Sequence, residues 1–180
     1  MIILIKYLKN KLSKTNVIII FVIIFGFFIG IFSTNTLSKL EISIENNLTK
    51  SYFEIFLNAF TTNYWYLFII WFLGMIPFSF IISLFITFFK SFITGVTLGV
   101  FLKNSAVVGI FKFLSFSILE ILIIIPLIIY LTTKSIAYSL NKFNPITLNN
   151  ESYFNVLFKT TIFTIIYAIL TCIRIALLEA

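Results

Sequence analysis

The chain has 180 residues, of which 61% are hydrophobic and only 11% are charged. A soluble domain carries about 25% charged residues, so this composition excludes a soluble globular protein and predicts an integral membrane protein. The formal net charge of +7 does not indicate nucleic-acid binding, because the basic residues are spread along the chain and flank apolar runs, as the positive-inside bias predicts.

The residue types that the sequence lacks exclude several kinds of catalytic site and metal site. The sequence holds no histidine and no aspartate, and its single cysteine, Cys172, has no second cysteine with which to form an internal disulfide. Most metal sites, Ser-His-Asp triads and paired-aspartate sites are therefore excluded. We expect a protein that is not an enzyme and that binds neither a cofactor nor a metal ion.

The N-terminal segment, residues 1–14, alternates apolar and basic side chains at roughly helical spacing. This pattern indicates a cytoplasmic interfacial helix that lies on anionic lipid, and a solvated charged tail is the alternative. Its basic residues precede the first apolar run and place the N-terminus in the cytoplasm by the positive-inside bias; they are Lys6, Lys9, Lys11 and Lys14.

The first membrane span is predicted at 15–33 and contains two glycines, Gly26 and Gly30. A spacing of four residues puts both on one helix face, where small residues let two helix backbones approach closely. We expect this face to pack within the chain, and contact with a second copy in a homo-oligomer is the alternative. No small-x-small site follows the apolar run, so the span is expected to remain uncleaved.

Residues 34–62 form the most polar part of the chain. Leu40, Ile44 and Leu48 recur every four residues, while the acidic side chains lie elsewhere around the helix. This amphipathic pattern predicts an external segment along the outer membrane surface. Such a segment offers a binding place for an extracytoplasmic partner, and a connector that only lies at the interface is the alternative.

A second span is predicted at 64–89. It opens with "NYWYLFIIW", whose aromatic residues suit the headgroup level. Pro77 lacks the N–H that the helix ladder needs, so the sequence predicts a kink near the middle. Lys90 ends this span.

The next apolar stretch, 91–102, is too short to cross a bilayer alone. Its length corresponds to about 18 Å of helix, against a hydrocarbon core of about 30 Å. The stretch is therefore either a re-entrant half-helix or a fifth span lengthened by its flanks. Thr94, Gly95 and Gly99 share one small face that suits close helix packing.

Two further spans are predicted at 113–131 and 153–173. The fold class is thus an all-α polytopic membrane protein with four to five transmembrane helices in a single integral domain, 1–180. The N-terminus is expected inside and 34–62 outside in either topology. The side on which 103–112 lies depends on whether 91–102 crosses the membrane.

Glu120 is an ionisable residue inside an otherwise apolar run, "SFSILEILIIIPLIIY". An ionised acid at the centre of a bilayer costs about 2.5–3.5 kcal/mol on insertion scales. Glu120 can be protonated and bonded to a neighbouring polar group, or it can serve a proton-coupled transport site. It can also form an ion pair that fixes how spans pack, with one of three lysines: Lys90, Lys103 and Lys112.

Three stretches of the sequence resemble one family. They are "LGMIPFSFIISLFITFFKSFITGVTLGVFL", in which a span leads through a Phe-Lys-x-Phe step into a glycine-rich stretch, "FGFFIGIFS" and "FLNAF". Their order and spacing, across about two thirds of the chain, resemble the stage II sporulation protein M family of bacterial membrane proteins. Some members of the wider family carry a Pro-His-Gly-x-x-Glu motif. The matching stretch here reads "SFSILE", so only Glu120 is kept.

The resemblance implies a multi-span scaffold in the bacterial cell membrane. The family's namesake anchors a peptidoglycan-remodelling machine, formed with two partner proteins, during engulfment of the forespore. The expected partners are therefore membrane lipids and membrane-anchored peptidoglycan hydrolases. The alternative is a small transporter subunit or an accessory protein of an ABC-type exporter.

Overall fold

The computed structural model describes residues 2–34, 51–141 and 153–179, and every regular element in those ranges is helical. A π-helical segment of five residues, Glu120–Ile124, joins α3 to α4. The prediction of an all-α polytopic membrane protein is confirmed. The helices are α1 (Ile2–Ser33), α2 (Tyr52–Gly74), α3 (Phe80–Leu119), α4 (Ile125–Asn141) and α5 (Tyr153–Glu179).

Among the residues that the structure describes, four helical stretches are long and apolar enough to cross a membrane. The first agrees with the predicted span 15–33, and the last with 153–173. Helix α2 is not among them, because asparagine and threonine residues in its first half lower its hydropathy. The four stretches are Thr15–Ser33, Phe80–Asn104, Val107–Leu140 and Tyr153–Leu177.

Two boundaries that the sequence predicts, one at residue 15 and one at residue 62, differ from those in the structure. Residues 2–14 continue the same helix as the first span, so α1 has no break at residue 15. Residues 52–62 belong to α2 and not to a separate external segment. The middle of the predicted segment 34–62 lies outside the described residues.

The predicted single span 64–89 is wrong, because the chain reverses direction between α2 and α3. Pro77 lies in a turn at 75–79, where Phe78 has a φ of 64°, an uncommon conformation for a residue with a side chain. The Ser79 hydroxyl donates to the carbonyl of Leu73 and to that of Ile76 at 2.8 Å. The same two carbonyls accept the N–H groups of Ile76 and Ser79, so these bonds reinforce the turn that follows α2.

Helix α3 also folds back on itself. The ring of Phe101 lies 6.4 Å from those of Phe113 and Phe116, whereas a straight helix would separate residues 101 and 116 by about 22 Å. The axis therefore reverses near 105–106, between a first arm (Phe80–Asn104) and a second arm (Val107–Leu119). Gly109 permits the reversal, since a Cβ there would lie well under 3.0 Å from the carbonyl of Phe101.

This reversal decides the status of residues 91–102. They form the C-terminal half of the first arm, which is a spanning stretch of its own, so the structure agrees with a span lengthened by its flank and not with a re-entrant half-helix. The arm reaches spanning length because residues 80–90, which the sequence assigned to the preceding span, belong to it.

The two ends of the bundle follow from contacts between helices. Asn16, near the start of the apolar part of α1, accepts a hydrogen bond of 2.7 Å from the Thr133 hydroxyl of α4. We call this the proximal end; it also holds the turn at 75–79 and the start of α5. The distal end holds the end of α1, the turn at 105–106 and the Tyr52 carbonyl, which lies 3.6 Å from Cys172 Sγ of α5.

The apolar core lies where α2, α4 and α5 meet. Leu67, Ile124 and Leu131 are fully buried there. At the proximal side, Trp71 Nε1 donates to the carbonyl of Tyr153 at 3.1 Å, and the Tyr153 hydroxyl donates to the carbonyl of Trp71 at 2.8 Å. This reciprocal pair, with stacked rings, fixes α2 against the beginning of α5.

Candidate functional site

The four glycines singled out from the sequence all lie at the contact between α1 and the first arm of α3. A Cβ on Gly26 would approach the carbonyl of Phe88, and one on Gly30 the carbonyl of Phe92, both at under 3.0 Å. Seen from the other helix, a Cβ on Gly95 would meet the carbonyl of Phe27. Only hydrogen at these positions leaves room for the backbones to touch.

We call the contact formed by Gly26, Gly30, Gly95 and Gly99 the glycine seam. Gly99 lies at its distal end. A Cβ there would lie 2.5 Å from the Thr34 hydroxyl and 3.1 Å from the carbonyl of Ile31. Gly26 of α1 lies against Phe88 of α3, and Thr34, further along the chain, lies against Gly99. The contacts therefore follow the same order along both helices. Helix α1 and the first arm consequently run parallel.

Lys90 and Glu120 form an ion pair inside the bundle. Lys90 Nζ lies 2.5 Å from Glu120 Oε1, and the two side chains are 11% and 19% exposed. Lys90 Nζ also lies 5.2 Å from the ring centroid of Tyr66 on α2, a cation–π contact. Lys103 and Lys112, the other lysines considered for Glu120, are exposed near the distal turn.

Three elements bring this pair together. Lys90 lies within the apolar span Phe80–Asn104, and Glu120 within the span Val107–Leu140. The reversal at 105–106 places the two spans side by side in opposite directions. Both charges are therefore at membrane depth, where an unpaired charge would be costly.

Glu120 opens the π-helical segment. The N–H of Ile125 donates to the carbonyl of Glu120, which is the five-residue bond of a π-helix. Pro126 explains the widening, because it has no N–H for the carbonyl of residue 122 and its ring would clash there in a regular α-helix. Such segments are frequent at functional sites.

Thr94 lies close in sequence to the pair but does not join it. Its hydroxyl donates to the carbonyl of Lys90 at 3.1 Å within the same helix. The residue is buried, so this bond satisfies its polar group.

Tyr167 of α5 lies in the surroundings of Glu120, and Asn63 of α2 lies near Tyr167. Tyr167 is buried and interacts electrostatically with Glu120, and its hydroxyl is near the Asn63 side chain. Asn63 Nδ2 donates to the carbonyl of Ala59 at 3.2 Å, while its Oδ1 is buried without a partner among the described residues.

Sequence reasoning missed three residues of this polar cluster: Tyr66, Asn63 and Tyr167. Tyr66 was assigned to a headgroup girdle, because it neighbours Tyr64 and Trp65. The other two carried no signal, since the proximity of Tyr167 to Glu120 and that of Asn63 to Tyr167 depend on how α2 and α5 pack.

A row of hydroxyl groups links the first arm of α3 to α4. Ser83 pairs with Ser135 at 3.3 Å, and Thr87 with Thr132 at 3.0 Å. The Ser135 hydroxyl also donates to the carbonyl of Ile70 on α2 at 2.8 Å. Sequence reasoning missed this row as well, although small polar residues are known to join membrane helices.

Within the described ranges, no group of three or more His, Cys, Asp or Glu side chains could hold a metal ion. The charged groups of the interior are instead arranged as a pair between helices. Such a pair can hold two helices in a fixed position, because a buried ion pair loses most of its favourable energy when one partner moves away.

Comparison with known proteins adds the family. The model of the family described as stage II sporulation protein M matches residues 17–180. The chain belongs to the stage II sporulation protein M family. The predicted resemblance is thereby confirmed, and the protein is a sporulation-related, multi-pass membrane protein. Searches of curated proteins and of solved structures found no match.

In this stage II sporulation protein M family member, Arg174 binds the backbone of the stretch that replaces the histidine motif. Arg174 of α5 donates through Nη1 to the carbonyl of Ser115 at 3.2 Å and to that of Phe116. Its guanidinium also lies 5.3 Å from the Phe116 ring centroid. The backbone of "SFSILE" thus holds the second arm of α3 to the distal part of α5.

Proposed function

We propose that this protein is a non-enzymatic membrane scaffold that anchors a peptidoglycan-remodelling complex during engulfment in sporulation. The observation that carries the proposal is the family match over residues 17–180. The namesake of that family anchors such a machine, and its partners supply the enzymatic domains outside the membrane.

The interior of the bundle favours a scaffold over a transporter. The hydroxyl groups between helices bond to one another or to helix carbonyls, and the charges Lys90 and Glu120 are paired. Among the described residues, only Asn63 Oδ1 and Arg174 Nε are buried side-chain polar atoms without a partner. A translocation path would need more polar groups that face water at membrane depth.

We place the proximal end in the cytoplasm by the positive-inside bias. The lysines that precede the first span lie on the proximal side of it, and Lys134 and Lys159 lie in the proximal parts of α4 and α5. Fewer basic residues of the described helices lie toward the distal end, namely Lys103, Lys112 and Arg174.

The start of α2 is then the outward-facing contact region for partners. Tyr52, Phe53 and Glu54 lie at the distal end and are exposed. Exposed aromatic residues are enriched in surfaces that bind another protein. This region is also the described part of the segment that the sequence predicts as a binding place.

Site-specific photocrosslinking in sporulating cells tests the proposal. A photoreactive amino acid replaces Phe53 at the distal end, and Phe78 at the proximal turn serves as the control because the two are equally exposed, at 67% and 66%. Crosslinked products are purified and identified by mass spectrometry.

We expect peptidoglycan hydrolases at Phe53 and not at Phe78. Recovery of an ATPase and a permease instead would overturn the scaffold proposal and support the exporter accessory. Hydrolases recovered equally from both positions would contradict the assignment of the distal end as the contact region.

A further inference from the structure

A groove runs along the outside of the bundle between α4 and α5, with a volume of about 340 Å³. Its walls at membrane depth are Leu122, Pro126 and Leu127 on one side and Phe163 on the other. Both walls belong to stretches that can span a membrane, Val107–Leu140 and Tyr153–Leu177. The groove therefore opens toward hydrocarbon and not toward water.

The groove changes from apolar to basic along its length. Tyr130 and Lys159 line it one to two turns closer to the proximal end than Leu122 and Phe163. Lys134 extends this end, since its Nζ lies 5.7 Å from the ring centroid of Tyr130. The deep part of the groove thus carries apolar groups, and its proximal end carries two ammonium groups beside a phenol.

Lys159 lies six residues after the first residue of α5, about 9 Å along the helix. It is exposed on the lipid-facing side of that helix. A lysine at this depth extends its stem along apolar surface and places its ammonium at headgroup level. A phosphate at that level is the complementary group.

We propose that this groove is a binding site for one anionic phospholipid of the leaflet at the proximal end. An acyl chain lies against Leu122, Pro126 and Phe163, and the headgroup phosphate lies at Lys159 and Lys134. The volume falls within the range of small-molecule sites, about 300–1,000 Å³. Basic pockets between membrane helices are known to bind anionic headgroups. The proposal does not depend on the role in sporulation.

Native mass spectrometry of the purified full chain in micelles tests this site. The probes are phosphatidylglycerol and phosphatidylcholine with identical acyl chains, titrated separately. We expect one phosphatidylglycerol to be retained about 30-fold more tightly than phosphatidylcholine, the preference that two lysines near a headgroup supply at about 1 kcal/mol each.

Two pairs of variants separate the headgroup site from the chain site. Lys159→Gln lowers the preference for phosphatidylglycerol about fivefold, because only Lys134 then remains, whereas Lys112→Gln, which changes an exposed lysine toward the distal end, keeps it. Leu122→Trp fills the groove and weakens the binding of both lipids, whereas Ile118→Trp, an exposed position one turn earlier, does not. Leu122 is 65% exposed, so its replacement leaves the core intact.

Three results would overturn the proposal. Equal retention of the two lipids by the unaltered protein would show that no anionic site exists. Equal losses in Lys159→Gln and Lys112→Gln would attribute the preference to net charge. The third result is that millimolar inorganic phosphate displaces phosphatidylglycerol and that Leu122→Trp leaves lipid binding unchanged. It would show a phosphate site that does not hold the acyl chain.

Discussion

Lys90 and Glu120 are the two charged residues whose contact joins the arms of α3 within the membrane. Each alone would add an uncompensated charge at membrane depth, at about 2.5–3.5 kcal/mol on insertion scales. Their contact at 2.5 Å and the Tyr66 ring beside Lys90 offset that cost. The pair therefore acts as a positional constraint, because any sliding of one arm along the other separates the charges.

The pair gives a prediction for single and double substitutions. Glu120→Leu should lower the free energy of unfolding by about 3–5 kcal/mol, because it leaves Lys90 buried without its counter-ion. The double variant Lys90→Met/Glu120→Leu should recover most of this loss, since apolar replacement of a buried pair is often neutral. Unfolding in micelles measures both.

A control uses Glu54→Gln, because Glu54 is exposed at the distal end and its change should have little effect. If the double variant were as unstable as the sum of both single variants, Lys90 and Glu120 would not be coupled. Membrane insertion should remain intact in every variant.

Sequence reasoning reached Glu120 but not its whole environment. An acid in a run of isoleucine and leucine is visible from composition alone, and three lysines were considered as its partner. The choice of Lys90 could not be made, because it depends on the reversal at 105–106. Tyr66 was misassigned for the same reason, since the turn at 75–79 brings it opposite Lys90.

At the scale of elements, the glycine seam sets the distance between α1 and the first arm of α3. The glycines of both helices interlock, since a Cβ added to Gly26, Gly30 or Gly95 would lie under 3.0 Å from a carbonyl oxygen of the other helix. This contact forms without large side chains, and it leaves the phenylalanine residues of α1 free to face lipid. The seam is thus a packing surface within the chain.

Gly30→Ala tests the seam. In an isolated helix, alanine would stabilise the chain by about 1 kcal/mol. At this position the added Cβ meets the backbone of α3, so we expect a loss of about 1–3 kcal/mol, the usual cost of overpacking. Thermal unfolding in micelles measures the difference, with the lipid-facing change Ile24→Ala as a control. A Gly30→Ala variant more stable than the unaltered protein would contradict the seam.

The two reversals predict which residues share a side of the membrane. Single cysteines at Ser51, Val107 and Phe78 in a Cys172→Ser background can be labelled with a membrane-impermeant maleimide. Ser51→Cys and Val107→Cys should react from the same side, since both lie at the distal end, and Phe78→Cys from the other. With the proximal end in the cytoplasm, intact protoplasts should label only the first two.

Labelling of Val107→Cys and Phe78→Cys from one side would contradict a first arm of α3 that crosses the membrane. Labelling of Phe78→Cys in intact protoplasts, with Ser51→Cys and Val107→Cys labelled only after lysis, would instead contradict the proposed orientation of the bundle.

The elements were partly predictable. Long apolar runs located the first and last spans closely, because span length is fixed by bilayer thickness. Pro77 indicated a break, but a missing N–H fits a kink as well as a reversal. What decides between them is the Phe78 conformation and the bonds of Ser79, which depend on the folded chain. The short stretch 91–102 was misleading for the same reason, since its true start lies at Phe80.

At the scale of the whole molecule, composition determines the fold class and packing determines the rest. A chain this poor in charge must bury its surface in lipid, so an all-α polytopic protein followed directly from the sequence. Which helices are neighbours did not, because the hydroxyl row and the Trp71–Tyr153 pair join residues distant in sequence. Among the described residues, all buried side-chain polar atoms except Asn63 Oδ1 and Arg174 Nε have hydrogen-bond partners, which agrees with the proposed role as an anchor.

Retention of a peptidoglycan hydrolase at the engulfing membrane tests the scaffold most directly. A fluorescent fusion of the hydrolase recovered by crosslinking is followed by time-lapse microscopy in cells with and without this protein. We expect that without this protein the hydrolase disperses and engulfment stalls, and that the unaltered gene restores both. A hydrolase that stays at the membrane while engulfment proceeds at the normal rate would contradict the account.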